Sequence, residues 1–234
     1  MLPLAGDHVI THDVRRLQAA ETVDQVVVAT STERRDDILA RYAQRAGASV
    51  HRGSEEDVLG RMYDAAVAHD ADIVVRATGD NPLIPPAVVD RVVNTVAAPG
   101  GVNYAGNTLE KTFPLGLIAE AFDQESFETV EAESTKPHQR EHVTQYYHEN
   151  PDAFALENVV WSDVYGWQPP LGEDEVRLTL DESDDYELLR AVYEGVAPDE
   201  RGIVSVREAL DFVAENGLAE LNRHVEQPAV QREE

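Results

Sequence analysis

The residues best placed for chemistry lie directly after short β-branched runs, where an open α/β sheet binds its ligands. Gln25-Val26-Val27-Val28-Ala29 leads into Thr30 and Ser31, small hydroxyl-bearing residues that let a planar base approach the backbone. The same residues equally suit an ordinary helix cap. Ala48-Ser49-Val50-His51 leads into Arg52-Gly53-Ser54 and then Asp57-Val58-Leu59-Gly60-Arg61. Gly53 permits close backbone approach, a helix N-terminus favours an anion, and Arg52 and Arg61 suit phosphate or ribose oxygens. Surface pairing of those arginines with Glu55 or Glu56 is the plain alternative. Asp72-Ile73-Val74-Val75-Arg76 leads into Ala77-Thr78-Gly79-Asp80-Asn81-Pro82. A lone Asp there is ordinary turn chemistry, but at a strand's carboxyl end it can also bind a hard divalent cation that bridges phosphates. Val176-Arg177-Leu178-Thr179-Leu180 ends on Asp181, a second carboxylate at the same edge. Asp80 and Asp181 together make a magnesium pair suited to metal-assisted transfer.

Positioning those residues requires alternating strands and helices. Ile38, Leu39 and Tyr42 form one helical stripe, and Val58, Leu59, Met62, Tyr63 and Ala66 form another. Ser54 with Asp57 predicts the cap and first turn of the second. A first helix is expected over 8–19, with Ile10, Val14 and Leu17 inward, and no strand precedes it. A helix over 87–96 and a strand over 102–105 continue the alternation. Parallel pairing with right-handed crossovers is implied, giving a mostly parallel, Rossmann-like open sheet. Residues 107–170 break the rhythm. They hold a Gly/Pro turn at Phe113-Pro114-Leu115-Gly116, helical stretches near 123–134 and 139–149, and an extended stretch over 154–161. This reads as an inserted α+β lobe between a first α/β half, 1–106, and its return, 171–225. The return carries a strand over 176–180, a helix through Tyr186, Leu189, Val192 and Tyr193, and a last helix near 205–216. The polar tail 226–234 is expected to be disordered.

Composition narrows the partners. The 234 residues carry 19 Lys+Arg against 45 Asp+Glu, a net charge of −26. Such a field repels DNA, RNA and anionic membranes. Nothing approaches the roughly 18 apolar residues of a membrane span, and no signal-peptide layout is present. The absence of cysteine excludes disulfides, thiolate zinc sites and thiol nucleophiles, and fits a cytoplasmic protein. Lys111 and Lys136 are the only lysines; every other cation is arginine. Acid this heavy suits concentrated salt, which screens self-repulsion, so a halophilic surface is expected over an ordinary acidic one.

Five segments in order carry a resemblance, from about residue 2 to about 195. They are Val28-Ala29-Thr30-Ser31, Arg52-Gly53-Ser54-Glu55-Glu56-Asp57-Val58-Leu59, Gly79-Asp80-Asn81-Pro82-Leu83-Ile84, Arg140-Glu141-His142-Val143-Thr144, and Leu178-Thr179-Leu180-Asp181-Glu182 with Asp185-Tyr186-Glu187-Leu188. Together they resemble the cytidylyltransferases of spore-coat polysaccharide biosynthesis, relatives of the acylneuraminate and Kdo cytidylyltransferases. The resemblance implies a GT-A nucleotidyltransferase fold and the reaction of CTP with a sugar or sugar acid to give CMP-sugar and pyrophosphate, with Mg²⁺. It implies that Ala29, Thr30 and Ser31 face the cytosine, and that Arg52, Ser54 and Leu59 lie beside base and ribose. Gly53, Arg61, Arg76 and Gly79 fall on the same nucleotide side. Asp80 and Asp181 become the catalytic metal ligands. Asn107, Arg140, His142 and Arg177 line the acceptor side, and the lobe at 107–170 serves acceptor binding and homodimer formation.

Two departures stand out. The family opens with a strand and the loop A-R-x-G-S-x-R-L-P-x-K, which grips the triphosphate. Met1-Leu2-Pro3-Leu4-Ala5-Gly6 resembles the residues just after that loop, so a start placed at an internal methionine is expected, with an impaired polypeptide as written. Pro114-Leu115-Gly116-Leu117-Ile118 stands where relatives often place acidic or polar residues. The competing classes are a non-catalytic binding or assembly subunit on the same fold and a GT-A glycosyltransferase. The latter expects Asp-x-Asp, of which Gly79-Asp80-Asn81 supplies one carboxylate. His8/His12 and His138/His142, with His148, read as solvated polar faces rather than zinc ligands. Trp161, Tyr165 and Trp167 read as core or dimer contact.

Overall fold

In a computed structural model, which describes residues 2–225, the first helix does not open the chain. A short hairpin, β1 (Pro3–Leu4) against β2 (Asp7–His8), precedes it, turned by Ala5 and Gly6 at φ of 45° and 88°. Helix α1 (Val9–Gln18) follows, then β3 (Val27–Ser31), α2 (Asp37–Arg45) and β4 (Ser49–Gly53). Next come α3 (Val58–Ala68), β5 (Ile73–Arg76), α4 (Pro86–Ala97) and β6 (Tyr104–Gly106). The β-branched runs and apolar stripes therefore form the expected elements within a few residues. Ile10 and Val14 of α1 meet Val26, Ala43 and Ala48 in one apolar cluster, the ordinary seal of a helix on its neighbours.

Pairing departs from the expected mostly parallel sheet. β3 and β4 are parallel, with Thr30 opposite Arg52 and Ser31 opposite Gly53. β5 instead pairs antiparallel with β7 (Glu120–Asp123), a strand supplied by the region expected to be a separate lobe. β7 also runs antiparallel to β6, whose other edge takes β8 (Leu156–Asn158) in parallel, giving the order β5-β7-β6-β8. Ala121 and Phe122 are fully buried, so hydrophobic burial draws this segment into the sheet. The resulting sheet is mixed. Among the described residues β3 and β5 each keep one edge without a strand partner, and α1 contacts both α2 and α4.

The remaining helices are α5 (Gln124–Glu133), α6 (Pro137–His142), α7 (Gln145–Glu149), α8 (Trp161–Val164), α9 (Ser183–Gly195) and α10 (Val206–Glu215). In place of the single helix expected near 139–149, Val143 at φ 59° separates α6 from α7. The stretch over 176–180 forms no regular strand; it makes an isolated parallel bridge, Leu115 to Arg177, with the Leu178 N–H donating to the Leu115 carbonyl at 2.7 Å. Gly116, at φ 98°, permits this approach, since a Cβ there would lie 2.3 Å from the Leu178 carbonyl carbon. Trp161 is buried against Phe113, Tyr165 and Trp167, which makes the aromatic cluster core. No helix among the described residues is long and apolar enough to cross a membrane. The tail at 226–234 lies outside the described residues.

A net charge of −26 implies self-repulsion that salt relieves. Melting is expected several degrees higher in molar KCl than in low salt, since each kcal/mol moves Tm by about 2–4 °C at this size. Equal melts in a calorimetric comparison would refute a halophilic surface.

Candidate active site

The carboxyl ends of β3 and β4 meet as their register requires. Thr30 and Ser31 are buried, and both hydroxyls donate to one oxygen of Asp36, at 3.1 and 2.5 Å. Those bonds, the Ser31 one first, hold the Asp36 carboxyl below its ordinary range against the opposing push of partial burial. Arg52 donates to the carbonyls of Ser31 and Glu33 and to Asp37, so it staples the loop between β3 and α2. Arg61 lays its stem over Gly53, where a Cβ would stand 2.8 Å from its Cγ, and donates to the Ser54 carbonyl at 2.5 Å. Its Nε is buried with no partner among the described residues. Asp57, not Ser54, caps α3, accepting from the Gly60 N–H at 2.9 Å, while the Ser54 hydroxyl accepts from the Asp57 N–H at 3.1 Å. Ala29, next to Thr30 on β3, is half-buried.

The second edge gathers the aspartates. Past β5 and Gly79, where an added Cβ would meet nothing within 4 Å, the Asp80 carbonyl accepts from the Leu180 N–H at 2.8 Å. That bond places Asp181 next to the Asp80 turn. Thr78 donates to the Asp80 carboxylate and receives the Asn81 amide at 2.8 Å. Partial burial and the neighbouring Asp80 charge raise the Asp181 pKa, against the pull of Arg177. Arg177 donates to Asp181 and, at 3.0 Å, to the fully buried Asp185. Asp185 also accepts the N–H groups of Asp181 and Glu182 at 3.0 and 2.9 Å, so it fixes the loop that carries Asp181. Two mutually repelling carboxylates at one edge fit a hard cation. No third Asp, Glu or His joins them as a metal cluster among the described residues, so substrate oxygens and water would complete the shell.

Sequence reasoning missed two acids nearby. Asp13 lies on the buried face of α1, 4% exposed, and neither carboxylate oxygen has a partner among the described residues. Burial first and Asp80 second push its pKa well above the ordinary carboxyl value. Glu120, at the start of β7, accepts from Arg76 at 2.6 Å and from the Tyr104 hydroxyl at 2.7 Å. Arg76, expected on the nucleotide, is therefore committed to a buried carboxylate.

The acceptor residues divide. Asn107 and Arg177 line a cavity of about 330 Å³, together with Thr108, Lys111, Ile118 and Asn222. The Asn107 amide is itself spent on the backbone, donating to the Leu117 carbonyl at 2.8 Å and accepting from Ala119 at 3.0 Å. Arg140 does not line that cavity. Its guanidinium clamps Asp57, at 2.8 and 2.5 Å, and Glu131, joining α3, α5 and α6. Gly60 leaves room for that clamp, since a Cβ would fall 2.8 Å from an Arg140 nitrogen. His142, at the end of α6, does not line the cavity either. Leu59 needs the firmest correction. Expected beside base and ribose, it is instead fully buried among Tyr104, Phe122 and Phe127. His12 and His138 are buried rather than on a solvated polar face: His12 contacts the Leu4 carbonyl, and His138 contacts Glu149 at 2.8 Å.

Comparison with known proteins agrees with this architecture. A family model described as cytidylyltransferase matches residues 1–197. An uncharacterized protein of Methanocaldococcus jannaschii is 31% identical over 220 residues, spanning 92% of this chain and 83% of that protein. The spore coat polysaccharide biosynthesis protein SpsF of Bacillus subtilis is 29% identical over 205 residues, 87% of this chain and 80% of that one. The solved structure of a cytidylyltransferase from Leptospira borgpetersenii superposes with a TM-score of 0.82 at 28% identity, covering 94% of this chain and 89% of its own. The nucleotidyltransferase fold, the paired strand ends and the matched residues lead to one conclusion: the chain belongs to the cytidylyltransferase family.

Proposed function

We propose that this cytidylyltransferase transfers the cytidylyl group of CTP to a sugar or sugar acid, forming CMP-sugar and pyrophosphate for surface polysaccharide or glycan synthesis. The observation that carries the reading is the meeting of Asp80 and Asp181 at one edge through the Leu180–Asp80 backbone bond. Their mutual repulsion supports Mg²⁺ as the resident cation, with Asp80 and Asp181 as its protein ligands. The chemistry a bound Mg²⁺ supplies there is neutralisation of the triphosphate and stabilisation of the leaving pyrophosphate.

The chain's own residues orient the reactants. Thr30 and Ser31 stand at the base edge, with the Arg61 side chain laid over Gly53 at the end of the neighbouring strand. Asp185 and Arg177 hold the Asp181 loop in place. An acceptor hydroxyl in the Asn107–Arg177 cavity attacks the α-phosphorus; the new O–P bond forms as the bond to pyrophosphate breaks, and the hydroxyl proton leaves to solvent. CTP as substrate accords with a cytoplasmic location, and a homodimer through residues 107–170 belongs to the same reading.

Turnover by the 234-residue polypeptide is expected to be slow. Arg52, Arg76 and Arg177 are already engaged by carbonyls or carboxylates, which leaves few free cations for a triphosphate. The test is equilibrium binding of CTP, UTP, ATP and GTP with and without MgCl₂, followed by pyrophosphate release over a panel of sugars and sugar acids. CTP is expected to bind tightest, and only with Mg²⁺ at useful strength. Preference for another nucleotide, or none for any, overturns the proposal.

A further inference from the structure

Asp36 ends the 3₁₀ turn Arg34–Asp36 that runs directly into α2, and its carboxylate makes no cap bond to that helix. Its Oδ2 instead accepts both the Thr30 and the Ser31 hydroxyls, at 3.1 and 2.5 Å. A carboxylate can only accept, so both hydroxyl protons are directed at Asp36. Ser31 Oγ accepts in addition from the Glu33 N–H at 3.1 Å. What the two side chains have left to offer a ligand is lone pairs alone. Cytosine carries an amino group where uracil, like thymine, carries a carbonyl oxygen. An edge locked as acceptor rewards the first and repels the second.

We infer that Asp36 is a positioning residue for nucleotide choice: by consuming the hydroxyl protons of Thr30 and Ser31 it makes the end of β3 select cytosine over uracil. The inference rests on the reading that the base of CTP lies against this strand end. Freed from Asp36, either hydroxyl rotates and donates to a carbonyl as readily as it accepts from an amine. Arg61 and Arg35 are the nearby cations that act on Asp36, and neither bonds to the two hydroxyls.

The experiment measures CTP and UTP affinity of the full chain with Mg²⁺, for the wild type, Asp36→Asn, and the Thr30→Val/Ser31→Ala pair. The wild type is expected to prefer CTP, and Asp36→Asn to shrink that preference about tenfold, the worth of one neutral hydrogen bond. UTP affinity should rise as CTP affinity falls. The hydroxyl pair should shrink the preference similarly, and adding Asp36→Asn to it should change the ratio no further. An unchanged ratio in Asp36→Asn, or equal weakening of both nucleotides, overturns the inference and leaves Asp36 a brace of the loop. Should Asp36→Asn fail to fold, the hydroxyl pair decides alone: an intact preference there overturns the inference. A wild type without preference for CTP overturns the underlying reading of the site, a result distinct from either.

Discussion

Asp80→Asn and Asp181→Asn are each expected to abolish the Mg²⁺-dependent part of CTP binding and to lower pyrophosphate release by roughly 100-fold or more. Neither should lower the melting temperature much. Asp181 is raised by partial burial and by the Asp80 charge, so its ionised form is disfavoured in the folded protein. A carboxyl whose folded pKa lies above its unfolded value costs stability at neutral pH, and removing its charge relieves that cost. Loss of function without loss of stability separates a metal ligand from a structural ion pair. Asp185→Asn is the contrast. It weakens the buried partner of Arg177 and should lower both function and melting temperature. Calorimetric titration of CTP with Mg²⁺ and then with EDTA reads the effect directly. An Asp80→Asn protein whose affinity still drops on chelation as the wild type's does would remove Asp80 from the site.

Legibility from residues alone tracks the range of the forces involved. Helices α1, α3, α4, α9 and α10 show in their apolar periodicity, because a helix seals one face whatever it later packs on. β3, β4 and β5 show as β-branched runs. The partner of β5 does not show, since β7 is joined to it by nothing local, and only burial of Ala121 and Phe122 brings the two together. Leu59 is instructive. Its stripe with Met62 and Ala66 already pointed to a core face, and the motif resemblance displaced that reading. Asp13 was visible as an anomaly, an acid three residues after Ile10 on the inward side of α1. The roles of Arg76 and Arg140 were hidden because Glu120 and Asp57, their partners, lie far along the chain. Arginines at strand ends and motif segments are easily counted as ligand contacts, yet they spend their donors on whichever carboxylate the fold delivers.

Arg76→Met tests that last point through stability alone, without any ligand. Glu120 is 2% exposed, and burial by itself drives its carboxyl upward. Arg76 at 2.6 Å and the Tyr104 hydroxyl at 2.7 Å, together with His148 and Thr144, outweigh burial and hold it below its ordinary value. Tyr104 stays a donor, since burial and Glu120 push its own pKa well up. Without Arg76 the carboxylate is left charged and buried, a loss of about 3–5 kcal/mol. At about 2–4 °C per kcal/mol this lowers Tm by roughly 6–20 °C at pH 7. In the wild type a lowered folded pKa contributes stability above the unfolded value, and that contribution is lost as pH falls through the folded pKa. In Arg76→Met burial is opposed by less, the folded pKa rises above the unfolded one, and protonation relieves the penalty as pH falls. The gap between the two proteins is therefore expected to narrow as pH falls through the variant's raised folded pKa. Adding Glu120→Gln to Arg76→Met should recover a substantial part of the loss at pH 7, because the orphaned charge is gone. A gap that stays constant with pH, and a double variant no more stable than the single one, would show that Arg76 contributes packing rather than charge.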